Sequence, residues 1–100
     1  MITTWPVERI ETEKRRLVVL QYLAQVPGYE ASAHILMLDC RRRGVPTSGD
    51  QMRGALAWLM EQELVSLRRA GEDLVARLKS RGREAADGTI VVPGVLRPDP

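Results

Sequence analysis

Apolar residues in the first quarter of the chain recur at steps of three and four, which is the period of an amphipathic α-helix. The pattern begins at Val7, and Pro6 suits the first turn of a helix capped by Thr3 or Thr4, where the missing proline N–H costs nothing. The run Val26-Pro27-Gly28 ends this helix, because proline cannot continue the hydrogen-bond ladder and glycine accepts the left-handed exit. Its predicted apolar face holds Ile10, Leu17, Leu20, Leu23 and Ala24. Its predicted polar face holds Glu11, Lys14 and Arg15.

Two more helices are predicted from the same periodicity. The second spans residues 31–43, is capped near residues 30–32, and ends at Gly44. Its apolar stripe holds Ile35, Leu36, Met37 and Leu38, and the cations of residues 41–43 suit the negative end of the helix dipole. The third spans residues 48–63, because Ser48 followed by Gln51 forms a capping box. It directs Met52, Ala55, Leu56 and Leu59 to the core and leaves Trp58 at the margin of its two faces.

The period changes from helical to alternating at Leu64, which indicates strands. Two short strands within residues 64–79, joined by a turn at residues 70–73, predict a β-hairpin. Ser80 can then cap a short helix that runs through Ala86 and ends at Gly88. Residues 89–100 contain three prolines and should form an extended tail packed on the body or on a partner.

This order of elements predicts a mainly α fold with a small β-hairpin, the winged helix-turn-helix. The expected parts are a three-helix core, a two-stranded wing, a short C-terminal helix and the tail. Residues 1–88 should form the domain and residues 89–100 the proline-containing tail. In such domains the third helix enters the major groove of DNA, so helix 48–63 and wing 64–79 are the predicted DNA-reading elements.

Length and charge are compatible with this interpretation. A chain of 100 residues with 44% hydrophobic residues has room for one folded domain. Its formal net charge is only +2, but residues 41–83 carry ten basic side chains against five acidic ones. A basic middle segment is what a surface facing a polyanion shows, and an ordinary solvated exterior accounts for it equally well.

Several other classes of protein are not expected from this sequence. The chain lacks both the ~20 consecutive apolar residues of a membrane helix and the basic start of a signal peptide, which predicts a cytoplasmic protein without a membrane partner. With one cysteine, Cys40, and one histidine, His34, we expect neither a metal site nor a cofactor. A lone histidine in a helix with no paired nucleophile predicts that the chain is not an enzyme.

Several segments resemble a known group of phage proteins. They are residues 16–20 (RLVVL), 27–29 (PGY), 51–65 (QMRGALAWLMEQELV), 81–88 (RGREAADG) and 92–98 (VPGVLRP). These segments are similar to those of small winged-helix proteins from Mu-like phages and prophages, which are often labelled transcriptional regulators of the arsenical-repressor type. The resemblance implies a winged helix, a phage origin and action inside the bacterial host cell. The paired cysteines of arsenical repressors have no counterpart here, so metal-controlled release from DNA is not expected.

Double-stranded DNA is therefore the predicted partner, and the expected function is that of a phage or prophage transcriptional regulator that binds DNA as a homodimer. Arginine can contact guanine with two hydrogen bonds, glutamine can contact adenine, and wing cations can meet phosphates. The predicted DNA-binding residues are Ser48, Gln51, Arg53, Arg68, Arg69, Arg77 and Lys79. The alternative is a non-enzymatic interaction or dimerisation module that reuses the same body and offers apolar surface to a protein. Candidate residues for that surface are Trp5, Val7, Ile10, Trp58 and the tail segment 90–96.

Overall fold

The computed structural model describes residues 7–99. In this part of the chain, four α-helices and a three-stranded antiparallel sheet follow one another. Their bounds are α1 Val7–Gln25, β1 Glu30–Ser32, α2 Ala33–Arg42, α3 Gly49–Glu61, β2 Val65–Ala70, β3 Asp73–Leu78 and α4 Ser80–Asp87. The helices and the hairpin expected from the sequence are thus present. The proposed caps Thr3 and Thr4, together with Trp5 and Pro6, lie outside the described residues.

The sheet has three strands, so the expectation of a two-stranded wing is wrong. Residues 30–32 form β1, and the last of them also provides the cap that was expected for the second helix. β1 pairs antiparallel with the free edge of β3, with Ala31 opposite Ala76, giving the strand order β1-β3-β2. Pairing satisfies backbone groups that the β3 edge would otherwise leave open. α2 is correspondingly shorter, and Ser32 is its N-cap, accepting a hydrogen bond from the N–H of Ile35 at 3.2 Å.

One core lies between the helices and the inner face of the sheet. Its largest fully buried side chains are Leu20, Leu23, Leu36, Met52, Leu56, Leu59 and Leu64. Two members of the apolar stripe expected on α2 do not belong to it, since Ile35 and Leu38 are 42% and 43% exposed. The side of α2 that enters the core carries Ala33, Leu36 and Cys40.

Three local predictions need correction. Arg15, expected on the polar face of α1, is buried because its guanidinium finds acceptors in the α2–α3 connection. α3 ends at Glu61 rather than Glu63, and Glu63 takes a left-handed backbone conformation with φ of 61°. α4 has Lys79 as its N-cap, so Ser80 is its first residue and not its cap.

The C-terminal tail packs on the body of the protein. Val92 and Val95 are buried, and the N–H of Leu96 donates to the carbonyl of Glu13 in α1 at 3.2 Å. Val91 is 60% exposed and points away from this contact. In the described range no helix combines the length and the apolar character that crossing a membrane requires.

Candidate nucleic-acid interface

The connection between α2 and α3 is held by a buried polar network. The guanidinium of Arg15 donates to Thr47 Oγ1 at 2.9 Å and to the carbonyl of Pro46 at 2.7 Å. Thr47 Oγ1 in turn donates to the carbonyl of Val45, and Arg41 donates to the carbonyl of Thr47 at 3.0 Å. Hydrogen bonds from a buried charged group are stronger than neutral ones, so this network fixes the angle between the two helices.

The start of α3 is closed by its own side chains. Ser48 accepts from the N–H of Gln51 at 3.1 Å, and the Gln51 side-chain oxygen accepts from the N–H of Ser48 at 2.9 Å, which confirms the capping box. The caps of the helix and the contacts expected with DNA therefore use the same two side chains. In this arrangement the Gln51 NH₂ group can still donate to a base edge.

Arg53 lies on the exposed side of α3, one turn from the helix start. Its guanidinium forms an ion pair with Asp50 and extends back over Gly49. The arginine side chain is 60% exposed and the carboxylate 90%, so water screens this pair and a phosphate or a guanine could replace it. The remaining exposed residues along the helix are Gly54, Ala57, Met60 and Glu61.

An open cleft of about 430 Å³ separates the starts of α2 and α3 from the tip of the β2–β3 hairpin. Arg53 and Gly49 form one side of it, and Glu72 and Asp73 of the hairpin turn lie on the other. The N-terminal turn of α2 completes the cleft with Ala33, His34 and Met37. We call this region the α3 cleft. Helix start and hairpin tip thus face the same opening, although carboxylates of the turn contribute to it.

The predicted wing cations lie on opposite faces of the sheet. Side chains alternate along a strand, and Arg69 lies opposite Leu74, on the face that packs against the helices. Arg68 and Arg77 occupy the outer face, where Arg77 is opposite both Glu30 and Ser66. Lys79 follows Arg77 by two residues in extended backbone, which continues the same alternation. Of the seven candidate residues, Arg53 lines the α3 cleft, Gln51 lines a separate groove beside α1, and Arg68, Arg77 and Lys79 share the outer face.

Beside the start of β1 lie a cation and an aromatic ring that the sequence pattern did not single out. Arg83 of α4 stacks on the ring of Tyr29, with its guanidinium carbon 4.3 Å from the ring centroid. Tyr29 precedes β1 and has a left-handed φ of 58°, which is uncommon for a residue with a side chain. Their 54-residue separation in sequence hides this contact from any local pattern.

The apolar residues proposed for a protein interface have different surroundings. Trp58 is half-buried, because the guanidinium of Arg16 lies 3.9 Å from its ring centroid and the tail passes beside it. Val7 and Ile10 are exposed on α1. A shallow groove is lined by Tyr22, Ile35 and Leu38 together with Asp39 and Arg42, and Ile35 and Leu38 belong to the apolar stripe predicted for the second helix.

Cys40 lies inside the core, and burial raises the pKa of its thiol to about 11. The thiol is therefore protonated at neutral pH, and the thiolate is the form that attacks electrophiles. Among residues 7–99, no three histidine, cysteine or carboxylate side chains lie close enough to hold a metal ion.

Comparison with known proteins relates this chain to a phage protein. The chain is 39% identical over 94 residues to the uncharacterized protein gp26 of Escherichia phage Mu, and the match covers 94% of this chain and 97% of the Mu protein. The chain belongs to the family of this Mu protein. No family model matches the sequence.

The similarity to the Mu gp26 protein extends over nearly the full length of both chains. It is therefore not confined to the helices near the α3 cleft or to any other single element. The phage origin implied by the sequence resemblance is confirmed. The name of the Mu protein specifies no activity, so the chemistry of the surfaces described above is the guide to function.

Proposed function

We propose that this member of the Mu gp26 family is a winged helix-turn-helix protein that binds double-stranded DNA and regulates phage transcription. In this proposal α3 enters the major groove and the tip of the β2–β3 hairpin contacts the adjacent backbone. The order α1, α2, α3, hairpin is the order of a winged helix, and β1 adds a third strand to the wing.

The observation that supports the proposal best is the α3 cleft. Arg53 on the exposed first half of α3 and the hairpin tip flank one opening, so both can meet one duplex at the same time. The buried Arg15–Thr47 network supports this use, because a reading helix must keep its angle to the supporting helix. Arg69 lies one residue before the tip and is exposed, which suits a phosphate contact.

The test compares single substitutions in a DNA titration. DNA fragments from the genomic neighbourhood of the phage gene are titrated with protein at two salt concentrations. Arg53→Ala should cost ~1 to 3 kcal/mol on the preferred fragment and relax base preference at one position, whereas Arg69→Ala should weaken all fragments alike. Arg97→Ala is the matched control, because this exposed cation lies in the tail against α1.

Two outcomes would contradict this function. If wild-type protein binds every fragment equally and releases all of them at physiological salt, it is not a sequence-dependent regulator. Equal effects of Arg53→Ala and Arg97→Ala would remove α3 from the interface.

A second proposal concerns self-association through the groove of Tyr22, Ile35 and Leu38. Ile35 and Leu38 are exposed beside Tyr22, and a second copy would cover these side chains while meeting Asp39 and Arg42 at the edge of the groove. In a DNA-binding dimer the two α3 helices would then lie about 34 Å apart, one turn of the duplex. Sedimentation of the wild type and of Ile35→Ser/Leu38→Ser should show a dimer and a monomer, respectively. Identical sedimentation of both proteins would contradict this dimer.

A further inference from the structure

The outer face of the sheet carries more positive charge than the α3 cleft. Register places Arg77 at the centre of this face, opposite Glu30 on one side and Ser66 on the other. Lys79 continues from Arg77 on the same face, about 6.6 Å further along at the usual rise of a strand. Both side chains are exposed.

Arg68 reaches over the middle strand. It belongs to β2, yet it pairs with Glu30 of β1 at 3.1 Å, and β3 lies between these two strands. The ion pair must therefore cross above β3, on the outer face. Both partners are partly exposed, so the pair is screened and contributes little to stability.

Arg83 extends the positive surface beyond β1. Its guanidinium lies on the ring of Tyr29, which adjoins Glu30 in sequence. We call Arg68, Arg77, Lys79 and Arg83 the sheet patch. Within it, Glu30 pairs with Arg68 and lies opposite Arg77. The other carboxylate on this face, Asp73, lies at the hairpin turn and accepts the N–H of Leu74 at 2.8 Å.

The α3 cleft has the opposite balance. Arg53 is paired with Asp50, and Glu72 and Asp73 form the hairpin side. The two surfaces meet at Asp73 of the hairpin turn, and Arg77 and Lys79 lie at the opposite end of the hairpin, on the outer face of the sheet. A duplex that meets the hairpin at its tip therefore leaves Arg77 and Lys79 open to a second duplex.

We propose that the sheet patch binds the phosphate backbone of a second segment of nucleic acid duplex, without regard to its base sequence, so that one protein molecule bridges two segments. The bridging rests on the function proposed above, whereas phosphate binding by the patch does not require α3. Four exposed cations outnumber the two carboxylates of this face, Glu30 and Asp73, which matches a polyanion, and Arg68, Arg77 and Lys79 lie on the sheet face turned away from the helices.

The first experiment measures affinity for a labelled duplex of arbitrary sequence as a function of salt. The variant Arg68→Gln/Arg77→Gln/Lys79→Gln removes three cations from the patch, and Arg9→Gln/Lys14→Gln/Arg97→Gln removes three from α1 and the tail. The slope of log affinity against log salt should fall by about 2 to 3 in the patch variant, because each phosphate contact contributes about 0.9. The control variant should keep the wild-type slope.

The second experiment detects bridging. One duplex is immobilised, and retention of a second labelled duplex is measured with each protein. Wild type and the control should retain it, and the patch variant should lose retention while still binding the immobilised duplex through α3. Arg77→Lys keeps the positive charge at this position, so it should bridge two duplexes as wild type does.

The outcomes separate the two proposals. If the patch variant keeps the wild-type salt slope and still bridges two duplexes, the proposed phosphate binding by the sheet patch is wrong. A dimer that bridges through its two α3 helices would give this result. The function proposed for α3 would then stand. Loss of binding in the patch variant with no effect of Arg53→Ala would support the patch and contradict α3 reading. Tighter binding of poly-glutamate than of a duplex of equal charge would also overturn the inference, because it would assign the patch to an acidic protein.

Discussion

At the scale of single residues, the least expected side chain is Arg15. Periodicity placed it with Lys14 on the polar side of α1, since a cation is normally an exposed residue. The structure buries it to 4% exposure because Thr47 and Pro46, more than thirty residues away in sequence, supply its acceptors. A pattern of local spacing contains no information about such distant partners. The capping box at Ser48 was predictable for the opposite reason, since both of its members lie within one helical turn.

The contribution of Arg15 can be measured against an exposed arginine of the same helix. Arg15→Met removes two charge-assisted hydrogen bonds from the α2–α3 connection, so we expect a loss of about 1.5 to 3 kcal/mol in the free energy of unfolding. Arg9→Met, which breaks a surface pair with Glu13, should change it by less than about 0.5 kcal/mol. Urea unfolding followed by circular dichroism gives both values. Equal losses would mean that the network does not stabilise the turn.

At the scale of elements, the sequence pattern predicts every helix and the hairpin but not β1. A strand of three residues is too short to show alternation, and Glu30 to Ser32 also resembles the start of a helix. Its existence depends on the free edge of β3, which is contributed by a segment more than forty residues later. The sheet patch was hidden for the same reason. Arg68, Arg77 and Lys79 were candidates from the start, but only the register shows which face each of them shares.

Alanine at two helical glycines should change the stability of the protein in opposite directions. Added to Gly54 of α3, a β-carbon meets nothing within 4 Å, so Gly54→Ala should stabilise the protein by about 0.5 to 1 kcal/mol. Added to Gly82 of α4, it would lie 2.2 Å from the carbonyl oxygen of Leu64 and 2.7 Å from Leu78, so Gly82→Ala should destabilise by about 1 to 3 kcal/mol. Thermal unfolding of the two variants beside wild type tests this. A stabilised Gly82→Ala would show that α4 does not pack closely against the β2–β3 sheet.

At the scale of the whole molecule, the chain places charge and apolar surface on separate regions. The sheet patch is basic, the α3 cleft holds more carboxylates than cations, and the groove of Tyr22, Ile35 and Leu38 has exposed apolar side chains beside Asp39 and Arg42. The net charge of +2 concealed this separation, because opposite charges cancel in a sum regardless of where they lie. A protein with three chemically different surfaces is suited to more than one simultaneous contact, as the bridging proposal requires.

The C-terminal tail packs against α1 and α3, and its position depends on Gly94. Gly94 has a φ of 99°, its carbonyl accepts from Arg16 at 2.9 Å, and a β-carbon there would lie 2.5 Å from the ring of Trp58. Gly94→Ala should therefore displace the tail, expose Val92 and Val95, and lower the free energy of unfolding by at least about 2 kcal/mol. In a Trp5→Phe background, the fluorescence of Trp58 should shift to longer wavelength as its ring becomes hydrated, and the urea midpoint should fall. Pro93→Ala is the matched control, because Pro93 is exposed and adjoins the same turn. If Gly94→Ala and Pro93→Ala give the same spectrum and midpoint, the tail contributes no packing at Trp58, and the body formed by α1 to α4 is stable without it.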